Sequence, residues 1–498
     1  MLHIVTKQKL ALLLLMIPCW ANARPVSAQE TWDYSPYRIR IWLAFQESPQ
    51  MSDRMRSDIA RFLKQRARIY AGATWKVAVS PAPNKVAAEM LRQIDQITVD
   101  QIKESWINWD PEDAAEAKFA PTGDKLMLLA IREDLGGVSI QARELDCRTR
   151  YWGPVVHRQV GQVRRTAREA FSAIATAFAP IARIERVDGK EGQARIRAGG
   201  LIHGAKDSPV DIRPGDPLLP INRRNDREGL PLKKGIQIIP WTYFFVTAQD
   251  GSNLTCQVHT GIRSPMRGRS TSRTLRIGLG VRPVHKTTLL QLQSTDETPQ
   301  TLTGYDIYSK DPKLKPPPPD APKVMPPYFG RTDWRGAVEI PKGDVKLRIV
   351  YVKNGNNLLA RLPIVPGLEA TQVAEMRNDD PRLMAEEFNR QVQSKIVELV
   401  TARRLIEARI EARIKGQKMD EARQLFEQLT ALETREDIEA MLSGMEERVQ
   451  AELAVFPNRA TNAKVEQLFQ RTRVMSQSFL DNALIKGLQD KLGGVSPQ

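Results

Sequence analysis

Residues 37–81 read YRIRIWLAFQESPQMSDRMRSDIARFLKQRARIYAGATWKVAVSP, and the periodicity of this stretch decides the fold of the first domain. Ile39, Ile41, Leu43 and Phe45 alternate as one face of a strand does. Ser52 then offers an N-cap to a segment whose apolar residues, Met55, Ile59, Phe62, Leu63 and Tyr70, recur at helical spacing. Trp75 to Val79 reads as a second strand. Further out, a helical stretch around Val86 to Ile97 precedes two apolar runs, Leu126 to Ile131 and Val138 to Leu145, which flank Gly136-Gly137 as a hairpin. Val163, Ala167, Phe171, Ile174 and Phe178 line one side of a helix that Pro180 ends. The order strand-helix-strand-helix-strand-strand-helix predicts an α/β sandwich with a small mixed sheet over residues 29–185.

That order resembles the amino-terminal domain of the TolB translocation proteins and related domains of flagellar-ring and curli-secretion proteins. The resemblance covers about the first third of the chain. It implies a domain used for envelope assembly and protein contacts, with no catalytic residues to carry over. Upstream, Lys7 and Lys9 precede an apolar run from Leu10 to Ile17 and the small-residue triplets Ala21-Asn22-Ala23 and Val26-Ser27-Ala28, the pattern of a secretory signal cleaved after Ala28. An exported protein, periplasmic or extracellular, is expected. No segment reaches the roughly 20 apolar residues that span a bilayer, so no transmembrane segment is expected in the mature chain. Cleavage removes Cys19; Cys147 and Cys256 then either form one bridge between two domains or remain two buried thiols.

Residues 186–286 change to short strands with turn punctuation and predict a basic β-rich domain, with Val210 to Ile221 similar to the Gly-Asp turn of SH3-like barrels. Residues 287–367 predict a β-sandwich interrupted by a proline-dense insertion at 310–328, which cannot pair in a sheet. Within it, Thr332-Asp333-Trp334-Arg335-Gly336 running into Ala337 to Ile340 resembles the carboxypeptidase-regulatory, transthyretin-like β-sandwich, which implies a binding or spacer fold. Residues 368–498 predict a helical bundle: one stripe through Phe388, Val392, Ile396, Leu399, Ile406 and Ile410 stops at Gly416, a second spans Ala422 to Leu432, Thr434 with Asp437 starts a third, and a fourth runs from about Asn462 to Leu488. Gly416 to Leu432 is similar to half a tetratricopeptide repeat, but with one such half a helical bundle or hairpin pair is the reading. The chain as a whole is read as multidomain α+β.

The formal charge is +16, and residues 151–290 hold 23 basic against 10 acidic side chains, whereas 29–150 and 291–498 are balanced. From Gly251 to Leu290 there are seven basic residues and no acid. A field of this sign attracts polyanions. Arg263, Arg267, Arg269, Arg273 and Arg276 are therefore the anion-binding candidates, with an anionic envelope polymer or a lipid phosphate as the expected partner, and a solvated basic surface as the alternative. Trp241, Tyr243, Phe244 and Phe245 are the dense aromatic group nearby; with Trp241, Tyr243 and Phe245 sharing a face, one side packs a core and the other offers a carbohydrate platform. Gly-x-Ser-x-Gly, His-Glu-x-x-His and the phosphate-binding Gly-x-x-x-x-Gly-Lys-Ser/Thr are absent, and His157, His203, His259 and His285 fall outside ligand spacing, so no catalytic, cofactor or metal residue is assigned. The expectation is an exported, non-catalytic binding or assembly protein that meets proteins through its α/β and helical domains. The helical tail would also serve a homo-oligomer, with Arg403, Arg404, Arg409, Arg413, Glu407 and Glu411 at the edges of a seam. The alternative is an extracytoplasmic hydrolase of cell-surface polymer, whose carboxylates converge only in three dimensions.

Overall fold

The computed structural model describes residues 32–493 apart from 50, 108–122, 202–207, 228, 264, 267–272, 296–297, 314–317, 319–325 and 455–458. The signal segment and most of the proline-dense insertion thus lie outside the described residues. Strand β1 (Tyr37–Phe45) runs parallel to β2 (Trp75–Pro81) and β3 (Lys125–Asp134), and β3 turns through Leu135-Gly136 into antiparallel β4 (Gly137–Asp146). Strands β5 (Tyr151–Trp152) and β6 (Val156–Val160) pair with the far side of β4. Helices α1 (Asp53–Ala71) and α3 (Thr166–Ala177) pack Ile59, Leu63 and Ile174 on Ile39, Ile41 and Leu129, while α2 (Asn84–Gln93) packs Val86 and Met90 on Trp42, Leu126 and Leu128. Both faces of the sheet are covered, which is why Trp42 and Ala44, on the face opposite Ile41 and Leu43, are apolar and buried too. The Ser52 hydroxyl accepts the Met55 N–H at 3.4 Å, as its place before the helix predicts.

The second sheet starts at β7 (Ile181–Asp188), immediately after Pro180 and earlier than the expected boundary at 186. With β8 (Glu191–Ile196), β9 (Pro217–Asn225), β11 (Thr242–Asp250), β12 (Asn253–Thr260) and β13 (Thr274–Gly280) it follows the order β9-β11-β12-β8-β7-β13, and β13 returns to β9. Six strands thus close a barrel and leave no open edge within it. Strand β9 uses one edge twice: Pro217 and Leu218 pair with β11, and Ile221 to Asn225 pair with the extra strand β10 (Pro231–Ile238). Leu218, Phe244, Val246, Leu254 and Cys256 fill the interior. After β8, Gly199–Leu201 forms a short 3-10 turn, and residues 202–207 lie outside the described residues.

One core runs from the α/β domain into the barrel, joining Tyr37, Phe178 and Ile174 to Leu219, Ile221, Tyr243, Phe245 and Ile277. Beside it a buried charge cluster fastens the seam. Asp124 accepts Arg148 at 2.5 Å, Arg197 from the end of β8 at 2.8 Å, and the N–H of Arg38 at 3.0 Å. Lys125 pairs with Glu144 at 2.6 Å and Asp146 at 2.7 Å, and donates to the carbonyl of Ala179 at 2.5 Å. Arg223 of β9 donates to the carbonyl of Arg148 at 2.9 Å. With every group ionised, Arg148, Arg197 and Lys125 balance Asp124, Glu144 and Asp146, and Arg223 adds a fourth cation held by the carbonyl of Arg148. Burial alone would raise the Asp124 carboxyl, but Arg197 and Arg148 outweigh it and hold it at about 2. Burial pushes Glu144 the other way, to about 7, against Lys125 and with the like charge of Asp146 behind it. The Cys147–Cys256 bridge is not formed: both are free buried thiols, Cys147 in the core under α2 and Cys256 inside the barrel. Burial pushes both thiols up, Cys256 to about 12, so neither is reactive.

The sandwich pairs β14 (Thr287–Ser294) with β17 (Ala337–Pro341) and with β20 (Thr371–Met376) in one sheet, facing β16 (Tyr328–Arg331), β15 (Asp306–Lys310), β18 (Arg348–Asn354) and β19 (Asn357–Ile364) in the other. Because β20 completes the first sheet, the sandwich runs to Met376, beyond the expected 367. In the turn before β17 the Asp333 carboxylate accepts the N–H groups of Arg335 and Ala337, and Gly336 at φ +67 leaves no room for a Cβ against the carbonyl of Leu292. Helix α4 (Asp380–Lys415) then carries two small cores. Its first half packs on α6 (Arg435–Ala454) and α7 (Arg459–Phe479) through Val392, Ile396, Leu442 and Phe469; its last turns pack on α5 (Met419–Thr430) and α8 (Ala483–Gly493) through Ile410, Leu429 and Leu488. Thr434 and Asp437 bond reciprocally at the start of α6. The expected single helix from Asn462 to Leu488 is two, because Leu480 plugs the bundle core and Asp481 accepts the N–H of Ala483 to start anew. Among the described residues no helix is long and apolar enough to cross a membrane.

Candidate functional site

Antiparallel pairing gathers basic residues at one end of the barrel. The β7–β8 turn, the β9–β10 hairpin and the β12–β13 connection all lie at this end, because β12 enters it at Thr260, β9 at Asn225 and β13 leaves it from Thr274. Arg273 is exposed there, and its carbonyl accepts the N–H of Asn225 at 2.8 Å. Arg224 pairs across from Thr274, and half-buried Arg276 across from Asn222. In β10 the four residues 232–235 stand opposite Arg224 alone, a bulge that pushes Leu232, Lys233 and Lys234 into solvent. Gly235 is what the bulge requires: a Cβ there would lie 2.7 Å from the carbonyl of Arg224 and 2.8 Å from that of Leu232. Among the described residues Lys190, Arg224, Lys233, Lys234, Arg263 and Arg273 are exposed and make no ion pair. Asp188 at the same end is taken by Arg186 at 3.1 Å.

Of the five arginines read from the sequence, then, Arg263, Arg273 and Arg276 stand at one barrel end, and Arg267 and Arg269 lie outside the described residues. Sequence reasoning missed Arg224, Lys233 and Lys234. The doublets Arg223-Arg224 and Lys233-Lys234 on either side of the Asn225 to Leu230 turn were the available signal. The aromatic group is core and no platform. Trp241 has a left-handed φ of +50, falls outside β11 and packs on the sandwich core, while Tyr243 and Phe245 enter the central core and Phe244 the barrel interior.

His259 on β12 is 6% exposed, and neither ring nitrogen meets a hydrogen-bond partner among the described residues. Burial, then the charges of Arg361 and Lys190, hold it down at about 4. The folded-state value lies below the ordinary 6.5, so the stability this neutral ring contributes is complete above pH 6.5 and is lost as pH falls through 4, up to about 3 kcal/mol. The unfolding free energy of the wild type should therefore drop more steeply between pH 6.5 and 4 than that of His259→Leu. Equal slopes would assign the acid sensitivity elsewhere.

A cleft of about 640 Å³ opens where the α/β domain meets the sandwich, between β4 to β6 and the segment Leu368 to Ala370. Arg143 braces its wall: Nη1 donates to the carbonyls of Ile94, Asp95 and Ile97 at 2.8 to 3.1 Å, Nε donates to Gly153 at 3.2 Å, and the guanidinium lies 4.6 Å from the Trp152 ring centroid. Gln141 Nε2 and His157 Nδ1 are 3.2 Å apart. Burial, then Arg132 and His285, lower the affinity of His157 for a proton, and burial raises that of Glu369. Among the described residues no three His, Cys, Asp or Glu side chains are grouped to hold a metal ion.

No family model matches the chain, and no curated protein matches it. Among solved structures, TolB from Acinetobacter baumannii is similar over 66% of this chain and 83% of that chain, at 11% identity and a TM-score of 0.18, a weak likeness on which nothing below depends.

Proposed function

We propose that this protein is a non-catalytic binding and assembly component of the cell envelope that engages an anionic envelope component through the basic end of its barrel, leaving the α/β and helical domains to contact proteins. The observation that carries the reading is the convergence of Arg224, Lys233, Lys234, Arg263 and Arg273, all exposed and without ion pairs among the described residues, on one rigid barrel end. Cations gathered at one barrel end raise the local concentration of anions, and salt weakens their pull. The hydrolase alternative would need the cleft's carboxylates Asp95 and Glu369 to converge on one bond. Asp95 is instead exposed and takes a hydrogen bond from Gln96 at 3.3 Å.

Sedimentation of the exported chain with phosphatidylglycerol vesicles and with a soluble polyanion, each at low and high salt, tests the reading. Each basic residue near an anionic surface contributes about 1 kcal/mol, so Lys233→Ser with Lys234→Ser should weaken binding about thirtyfold at low salt and flatten its salt dependence. Binding that ignores both salt and the double substitution would move the function to the other domains.

A further inference from the structure

Helices α1 and α3 pack against each other on one face of the α/β sheet, and a groove runs between them. Two adjoining clefts of about 350 and 320 Å³ form it, and Phe62, Arg66 and Arg168 line both. The floor is apolar: Phe62 and Tyr70 are half-buried and Phe171 is buried, while Ile69 at the rim is 66% exposed. Ile59, Leu63 and Ala67 already fill the side of α1 that faces the sheet, so Ile69 is apolar surface that the domain's own packing does not use. Phe62 and Ile69 are separated by about 10 Å along the helix axis, or about two helical turns.

The groove is also basic. Helix α1 carries six basic against two acidic side chains, a bias that the balanced total of residues 29–150 conceals, and residues 163–177 add three against one. Asp53 and Asp58 are taken by Arg56 and Arg61 at 3.7 and 3.2 Å. Arg66 of α1 and Arg168 of α3 are exposed and make no ion pair among the described residues, and no carboxylate lines either cleft. Two guanidiniums on one groove repel each other, and a carboxylate between them turns that repulsion into attraction. An anionic bilayer fits less well, because helices that lie on membranes present their apolar side chains outward, whereas Phe62, Tyr70 and Phe171 are recessed between two helices. A groove two turns long, apolar along its floor and cationic on both banks, matches the recognition of a helix through anchors three, four and seven residues apart.

We propose that this groove docks an acidic amphipathic helix of a partner protein, which seats apolar side chains against Phe62 and Ile69 and sets carboxylates on Arg66 and Arg168. The proposal rests on the reading of the α/β domain as a protein-contacting one and is independent of the barrel's role. Selection from a display library of random linear peptides, followed by fluorescence anisotropy of the enriched peptides, tests it. The target is the exported chain with Lys233→Ser and Lys234→Ser, so that acidic peptides drawn to the barrel end do not dominate. Enriched peptides should be net acidic, with apolar residues at helical spacing. Arg66→Glu with Arg168→Glu should weaken their binding about a hundredfold and Ile69→Ser about tenfold, with the melting temperature unchanged because all three side chains are exposed. Enriched peptides without acids, or phosphatidylglycerol vesicles that depend on Arg66 and Arg168 as strongly as the peptides do, would overturn it. Peptides that bind but ignore the groove substitutions would overturn the groove and leave a protein-contacting chain standing, whereas a chain that enriches no peptide would overturn both.

Discussion

Lys125→Met should destabilise the α/β and barrel unit by about 3–5 kcal/mol, the cost of leaving a buried charge without its partner. Lys125 is fully buried and is the ammonium against which both Glu144 and Asp146 are placed. Removing it leaves two carboxylates facing each other in the seam, and the carbonyl of Ala179 loses its donor. The effect should exceed the sum of its contacts, because Lys125 is the cation that both carboxylates share. Urea unfolding followed by tryptophan fluorescence would measure it, since Trp32 stacks under Arg148 and Arg197 at 5.5 and 5.0 Å. A second substitution that also removes the carboxylates, Glu144→Gln with Asp146→Asn on the Lys125→Met background, should recover much of the loss. A loss under about 1 kcal/mol for Lys125→Met would mean that water enters the seam and screens it.

Arg382→Leu should cost a similar amount, about 3–5 kcal/mol, at a different joint. The Arg382 side chain is 2% exposed, and it bonds both oxygens of Asp379, the carboxylate of Glu386 and, at 2.8 Å, the carbonyl of Asn354 on β18. Tyr305 and Asn354 add bonds to the neighbouring Asp380, at 3.0 and 3.1 Å. This is how the first turn of α4 is fixed to the sandwich. Leucine fills the space but leaves Asp379 buried and unpaired, so the sandwich and the helical domain should lose their thermal coupling. Calorimetry should show one broad transition separating into two, with the helical part melting first. A uniform downward shift without separation would mean that Arg382 stabilises only its own helix.

Periodic and capped elements were legible in the sequence. The alternation of Ile39, Ile41 and Leu43, the Ser52 cap, the Thr434 box and the Gly336 turn each depend on residues within a few positions of one another. The return of β13 to β9 was not legible, because it pairs Arg276 with Asn222 across the whole barrel and no local pattern encodes such a register. The same limit hid the basic barrel end and the cleft in part. Arg263 and Arg273 stood out as a run, but Lys233 and Lys234 join them only through a bulge that Gly235 permits. Gln141, Trp152 and Glu369 come from three distant segments, each unremarkable alone. Asp124 and Arg197 likewise became partners only once two domains met.

Helix α4 is 36 residues long, which at about 1.5 Å per residue makes a rod of roughly 54 Å. It is bolted to the sandwich at its root by Arg382 and carries α5 and α8 at its tip. A rotation of roughly 10° about that root would swing the tip by about 9 Å, several times the slack of any side chain at the joint. The tail is in this sense a lever, and a pull or a docked protein at its far end would be felt as torque on a single buried arginine.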